Sequence, residues 1–268
     1  LDGEEQKSVK FVPGQTVTFD TSDTTVGTHP FRLSATSNGS HNAFYSTSLD
    51  GNGDYLSIAS TTDFEFGTDD FTVECWCYHS DATVSGSYPY LFEFRDPGGG
   101  GKRISLYVTD SNYIQLWVDG VIFNYGNFET QKWNHIAISR YSGTLRMFYN
   151  GMTYGTYTTE IDFTGAPLLI GQRDGYAAQS WPGFISDVRI VKGTAVYVNE
   201  FSPPVTPLTN ITNTKLLCCN SSTVTGSTVT PGTITANGDA AVSNTNPFDE
   251  YPFGTVTSIS EGTAGAAT

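Results

Sequence analysis

Trp133-Asn134-His135-Ile136-Ala137-Ile138-Ser139-Arg140, Thr144-Leu145-Arg146-Met147-Phe148-Tyr149 and the Asn150-Gly151 that follows decide the fold of this chain. Both runs are rich in β-branched, aromatic and other apolar residues, and they read as strands joined at Tyr141-Ser142-Gly143, where glycine permits the positive φ of a tight turn. Asn-Gly suits a two-residue type I′ hairpin, because both central residues must accept left-handed angles. The stretch is therefore an antiparallel meander. Leu168-Leu169-Ile170-Gly171, Trp181-Pro182-Gly183-Phe184-Ile185-Ser186-Asp187-Val188-Arg189-Ile190, Tyr197 and Phe201-Ser202-Pro203-Pro204 carry the pattern on.

A chain of 268 residues holds one large β-sandwich with extensions, or two modest domains. Seventeen Phe, fifteen Tyr and four Trp supply bulk for a core between sheets, and no long apolar run has helical periodicity. Thirteen Lys and Arg stand against twenty-seven Asp and Glu, a formal charge of −14, and the basic residues are scattered. Nucleic acid is therefore a disfavoured partner. The same field repels anionic membranes and acidic polysaccharides unless divalent cations bridge, and leaves neutral glycans or a basic protein open. No segment approaches the length of a membrane span, so membrane insertion is not expected. The start at Leu1 without Met fits a processed or truncated piece of something larger. Cys75 and Cys77 share one strand face while Cys218 and Cys219 are adjacent, which favours buried thiols over a zinc site; any disulfide would link the two pairs.

With Leu49-Asp50-Gly51-Asn52-Gly53-Asp54-Tyr55-Leu56-Ser57-Ile58 and Phe71-Thr72-Val73-Glu74-Cys75-Trp76 upstream, the succession over residues 41–205 resembles the laminin-G-like branch of the concanavalin A-like lectin/glucanase superfamily. The resemblance implies an all-β, antiparallel β-sandwich of jelly-roll type with extended arms at both ends. Residues 1–40 form an N-terminal β-rich arm, and Gly27-Thr28-His29-Pro30-Phe31-Arg32 resembles the opening of a cupredoxin-like module that stays incomplete. Residues 41–222 form the sandwich, with Thr214-Lys215-Leu216-Leu217-Cys218-Cys219 expected to return beside its first strand. Residues 223–268, rich in Ser, Thr and Gly, read as an arm or a linker. Lys215-Leu216-Leu217-Cys218-Cys219-Asn220 and Thr230-Pro231-Gly232-Thr233-Ile234-Thr235-Ala236-Asn237-Gly238-Asp239 are similar to tracts of marine bacteriophage structural proteins with laminin-G-like modules.

Relatives that cleave β-glucans carry alternating carboxylates on one strand, an arrangement that places both in the cleft. This chain lacks that motif: Glu74 shares its face with Trp76 and Tyr78, and Glu93 is followed by Asp96 on the opposite face. No Ser/His/acid signature appears, and Pro97-Gly98-Gly99-Gly100-Gly101-Lys102 lacks the following Ser or Thr and helix of a phosphate loop. No cofactor is required, and calcium is the one metal carried forward. The resemblance implies it in rim loops, with Asp50, Asn52 and Asp54 as ligands, although Tyr55 and Thr61 break an EF-type pattern and the segment reads more simply as a Gly-rich hairpin.

A sugar site needs an aromatic platform for a pyranose face and polar groups for its hydroxyls. Tyr88, Tyr90, Tyr113, Tyr125, Tyr176 and Trp181 are loop-borne candidates for the platform, with Asp110, Asn112 and Asp174 nearby, while Trp76 and Trp133 read as core. Together with the two arms, the resemblance to phage structural proteins implies a non-enzymatic virion structural protein, a head-decorating or tail-fibre module on the virion surface that contacts other virion proteins and copies of itself, with host-glycan binding as an addition. The alternatives are a secreted or cell-surface lectin and, third, a polysaccharide hydrolase.

Overall fold

Alternation of inward apolar and outward polar residues along each strand builds two facing sheets. The computed structural model describes residues 44–84, 88–95, 104–118 and 120–248. The chain divides into two units, Leu1–Ala43 with Phe253–Thr268 and Phe44–Pro252, and every described residue belongs to the second. The cupredoxin-like opening over 1–40, the glycine run 97–102 and the last twenty residues of the expected C-terminal arm lie outside the described residues.

In chain order the strands are β1 (Ser46–Asp50), β2 (Tyr55–Ile58), β3 (Phe71–His79), β4 (Tyr90–Phe94), β5 (Ile104–Val108), β6 (Tyr113–Val118), β7 (Val121–Asn127) and β8 (Trp133–Tyr141). They continue with β9 (Thr144–Tyr149), β10 (Met152–Thr158), β11 (Leu168–Ile170), β12 (Pro182–Lys192), β13 (Thr214–Cys218), β14 (Ser227–Val229), β15 (Ile234–Asn237) and β16 (Ala241–Ser243). The larger sheet runs β10-β9-β8-β3-β12-β1-β16, with β13 beside β12 and β14 beside β13; the smaller runs β15-β2-β11-β4-β5-β6-β7. Pairings in both are antiparallel, as at β3 with β8 and β5 with β6. No α-helix occurs among the described residues.

The meander forms as its turns dictate. Ser142 and Gly143 have φ of 47° and 75°, and Asn150 and Gly151 have 49° and 80°, so both turns place two left-handed residues between strands whose registers close at Tyr141↔Thr144 and Tyr149↔Met152. Val73 and Cys75 of β3, Leu106 of β5, Leu116 of β6 and Ile138 of β8 meet in the core between the sheets. Burying one large side chain of this kind is worth about 1.5–3 kcal/mol.

Three expectations change. Asp50-Gly51-Asn52-Gly53-Asp54 does not close a hairpin: β1 lies in the larger sheet and β2 in the smaller, so this turn carries the chain between layers. Strand β13 does not pair with β1. The eleven-residue β12 takes β1 along residues 182–185 and β13 along 188–191, so the two lie end to end on one edge. Asp187, at φ 51°, sits where the register of β12 shifts. Finally, residues 223–248 are no linker, because β14 extends β13, β15 pairs with β2 and β16 pairs with β1.

Trp76 and Trp133 are buried, but on the outer side of the larger sheet, in a cluster with Phe248. All four cysteines are buried free thiols. Burial pushes the Cys75 and Cys77 thiols well above their ordinary range, as befits small apolar core residues.

Candidate functional site

The two sheets treat their outer faces differently. On the larger sheet, residues 194–208 lie across β3 and β8. Val196 donates its N–H to Thr72 Oγ1 at 2.8 Å, and Tyr197 and Phe201 stack at 3.7 Å, with Phe201 edge-on to His135 and Phe148. Beneath them is a buried polar knot. Glu74 Oε1 accepts from Arg189 Nε at 2.8 Å and pairs with its Nη2 at 2.6 Å, while Oε2 accepts from Tyr197 Oη at 2.8 Å and lies 3.2 Å from His135 Nε2. Burial alone would raise the Glu74 carboxyl, but the His135 and Arg189 contacts outweigh it and hold the carboxyl below its ordinary value. Glu74 is thus fixed in place by its neighbours.

Glu93 occupies the outward face of the other sheet. Its Oε1 accepts from Ser105 Oγ at 3.2 Å and its Oε2 from the Asp174 N–H at 2.9 Å. The whole core separates Glu93 from Glu74, since sheets of a sandwich lie about 10 Å apart before outward side chains are added. The two cannot flank one glycosidic bond, which needs carboxylates about 5–9.5 Å apart.

On this second outer face, strand register assembles a site from scattered residues. Tyr90 of β4 pairs with Tyr107 of β5, Tyr107 with Gln115 of β6, and Gln115 with Asn124 of β7, which makes one continuous cross-strand row. Tyr90 and Tyr107 stack with centroids 4.6 Å apart and planes 12° off parallel, Tyr88 meets Tyr107 edge-on at 6.3 Å, and Gln115 Nε2 donates to Asn124 Oδ1. Tyr88, Tyr113, Asp110, Ser111, Arg173 and Gln179 join the row around a pocket of about 460 Å³, within the range of small-ligand sites.

The loop between β11 and β12 supplies the last wall. Asp174 is anchored on Glu93, Ser180 Oγ donates to Ala177 O and accepts from Gln172 Nε2 and from the Gly53 N–H, and Trp181 N–H donates to Gly171 O at 2.7 Å. Arg173, held in this loop, lies 4.1 Å from the Tyr176 ring centroid and 5.9 Å from that of Tyr90, and its Nη1 donates to Gln179 Oε1 at 3.0 Å.

Of the sequence candidates, Tyr88, Tyr90 and Tyr113 line the pocket, and Tyr88 and Tyr113 are 42% and 44% exposed. Tyr176 stands beside it, half exposed, through its stack with Arg173. Asp174 contributes a backbone anchor and is not part of the lining. The Tyr125 side chain lies outside the described residues. Trp181 is fully buried instead of loop-borne: the alternation of β12 extends back one residue, so Trp181 and Ile185 face inward, and its Nε1 donates to Tyr78 O at 3.1 Å. Sequence reasoning missed Tyr107, Gln115, Asn124, Arg173 and Gln179. Tyr107 and Gln115 carried a usable signal as the outward positions of Ile104-Ser105-Leu106-Tyr107-Val108 and Tyr113-Ile114-Gln115-Leu116.

The calcium candidates sit at the layer-changing turn. Asp54 is buried and accepts the Asp50 N–H at Oδ2 (2.9 Å) and the Asp239 N–H at Oδ1 (2.7 Å), and the Asn52 N–H donates to Asp50 Oδ1 at 2.7 Å. A third carboxylate, Asp239, joins from 185 residues downstream, and the ligand oxygens of Asp50, Asp54 and Asp239 lie within 4.8 Å of one another. That spread and an all-oxygen donor set suit a cation with bonds of about 2.3–2.6 Å.

Among known proteins, a family model for the concanavalin A-like lectin/glucanases superfamily, of the third laminin-G type, matches residues 50–195. No curated protein matches the chain. Solved structures share its fold. A proposed carbohydrate binding protein from Bacteroides ovatus aligns at TM-score 0.50 and 14% identity over 75% of this chain and 59% of its own length. A heptameric SAP-like pentraxin from Limulus polyphemus aligns at TM-score 0.44 and 18% identity, covering 58% of this chain and 79% of its own. A Ruminococcus gnavus sialidase CBM40 module bound to α2,3 sialyllactose aligns at 0.42 and 10%, covering 58% and 94%. At these identities the likeness is one of fold.

Proposed function

The chain belongs to the concanavalin A-like lectin/glucanases superfamily, and from that premise we propose that it is a non-enzymatic glycan-binding module, carried on a virion as a head-decorating or tail-fibre element. The exposed rings of Tyr88 and Tyr113 beside the buried Tyr90–Tyr107 stack, with polar Gln115 and Asn124 in the same cross-strand row, carry the reading. Planar rings accept the apolar face of a pyranose, and the amides beside them reach its hydroxyls. The placement of Glu74 and Glu93 on opposite sides of the core supports binding without hydrolysis. The Bacteroides ovatus neighbour, a proposed carbohydrate binding protein, agrees with a glycan ligand. The virion setting rests on the resemblance of the tracts 215–220 and 230–239 to phage structural proteins.

A glycan array probed with the purified chain tests the binding. Tyr88→Ala and Tyr113→Ala, at exposed positions, should each weaken the best ligand roughly two- to tenfold without changing the melting temperature. Unchanged affinity in both would remove the pocket from the binding site. Calcium, where Asp50, Asp54 and Asp239 hold it, would brace the turn that bonds to the Arg173 loop, and no pocket residue is a ligand. Binding should therefore survive chelator; its loss would favour the calcium-bridged lectin. Immunogold labelling of intact particles tests the setting, and unlabelled particles would exclude a virion surface component.

A further inference from the structure

Glycan binding as proposed leaves the cation of the pocket without a role, and the inference drawn from it here rests on that reading. Arg140 gives Nη1 and Nη2 to the carbonyls of Gly67, Ile161 and Thr159, and Arg189 grips Glu74 and donates to Thr209 O. Arg140 also keeps a buried Nε without an acceptor and has no ion pair among the described residues, but both of its terminal nitrogens are committed to carbonyls, whereas Arg173 lines the pocket. Arg173 Nη1 meets only the neutral amide oxygen of Gln179, its Nε is buried with no acceptor, and no ion pair engages it among the described residues. The rings of Tyr176 and Tyr90 stabilise the cation by their π faces but supply no counter-charge. A guanidinium half withdrawn from water without an anion is held at a cost, and an incoming ligand can relieve that cost.

The surrounding loop keeps this cation in place. Tyr176 N–H donates to Arg173 O, Asp174 is fastened to the buried Glu93, and Ser180 closes the loop onto Gln172 and Gly53. Such preorganisation lowers the entropy lost on binding.

We propose that the pocket recognises a glycan through a hexuronic acid, whose carboxylate pairs with the Arg173 guanidinium. A planar carboxylate matches the planar N–H fork better than any neutral hydroxyl. Thr109, Gln115 and Asn124 meet the remaining hydroxyls, and Asp110, also in the lining, keeps a second anionic group from that wall and so orients the sugar. The formal charge of −14 opposes an anion at long range, but at physiological salt that field decays over about 8 Å, and the Arg173 contact lies well inside it.

Calorimetric titration of the full chain with galacturonate, mannuronate and glucuronate oligomers, their carboxyl-reduced neutral counterparts, and sulfated neutral oligomers of equal length tests this. At least one uronate should bind about tenfold or more tightly than its reduced form, and Arg173→Gln should remove about ten- to hundredfold of the uronate affinity. The comparison between ligands uses the unaltered protein, so it stands even where the variant misfolds. Equal binding of every uronate and its reduced form overturns the inference and leaves the glycan reading intact. A sulfated oligomer that matches the best uronate overturns the carboxylate assignment. Binding of no oligomer, charged or neutral, by a pocket that also fails the array overturns both.

Discussion

Glu74, which the sequence sets apart from a catalytic pair, is held by the fold in a structural role. Its carboxylate sits at the centre of β3, fully buried, between an arginine from β12 and a histidine from β8. Removing the charge while Arg189 stays buried leaves an uncompensated cation, so Glu74→Gln should lose about 3–5 kcal/mol at pH 7, read from urea denaturation. Because the folded carboxyl titrates below its unfolded value, its contribution is fully present above the unfolded pKa of about 4.3 and is lost as pH falls through the folded one. The wild type should therefore approach the variant's stability in acid, and a gap that stays constant from pH 7 to the acid limit would contradict the charge assignment. At this scale the sequence was partly legible. Alternation placed Trp76 and Tyr78 on the face of Glu74, yet nothing in the string announced Arg189 or Tyr197, which reach it from 115 and 123 residues away.

Elements were the most legible level, because turn chemistry is local. Gly143 and Gly151 were both readable as hairpin residues and both take positive φ, but their surroundings differ. A Cβ on Gly143 would meet only ordinary contacts at 3.8 Å and beyond, whereas one on Gly151 would fall 1.8 Å from Phe201 O, the residue whose N–H bonds to Gly151 O. Gly143→Ala should thus show only the strain of a left-handed alanine, about 1–2 kcal/mol. Gly151→Ala adds the displacement of residues 194–208 from the larger sheet and should exceed it by about 1 kcal/mol or more, with Tyr197 and Phe201 unstacked. Paired thermal melts with near-ultraviolet circular dichroism check this; equal losses would mean that the close approach to Phe201 does not matter. The pocket was less legible for a complementary reason. Its outward residues obey the alternation of β5 to β7, while a bulge between Tyr90 and Phe92 turns Tyr90 outward; register across four strands then decides that Tyr90, Tyr107, Gln115 and Asn124 share one row, and register is a property of pairing that no single strand encodes.

For the whole molecule, the boundary expected after residue 222 fails because edge strands need little apolar side chain. Strands β14, β15 and β16 are short and polar, so composition marked them as arm, yet their backbones complete the edges of both layers. Ile234 is buried against the core, Phe248 meets Trp76 at 6.2 Å and Phe44 at 5.5 Å, and Asp239 supplies an amide to Asp54. Ending the chain after residue 222 would remove all of these and bare the hydrogen-bonding edges of β1, β2 and β13. The two buried side chains alone are worth about 3–6 kcal/mol, which corresponds to a fall in melting temperature on the order of ten degrees for a sandwich of this size. The exposed edges should also pair between molecules, so the truncated protein is expected to elute as higher oligomers at concentrations where the full chain does not. A linker beyond residue 222 would give the opposite result, with truncated and full chains melting together and eluting alike, because a segment that buries nothing cannot hold two sheet edges closed.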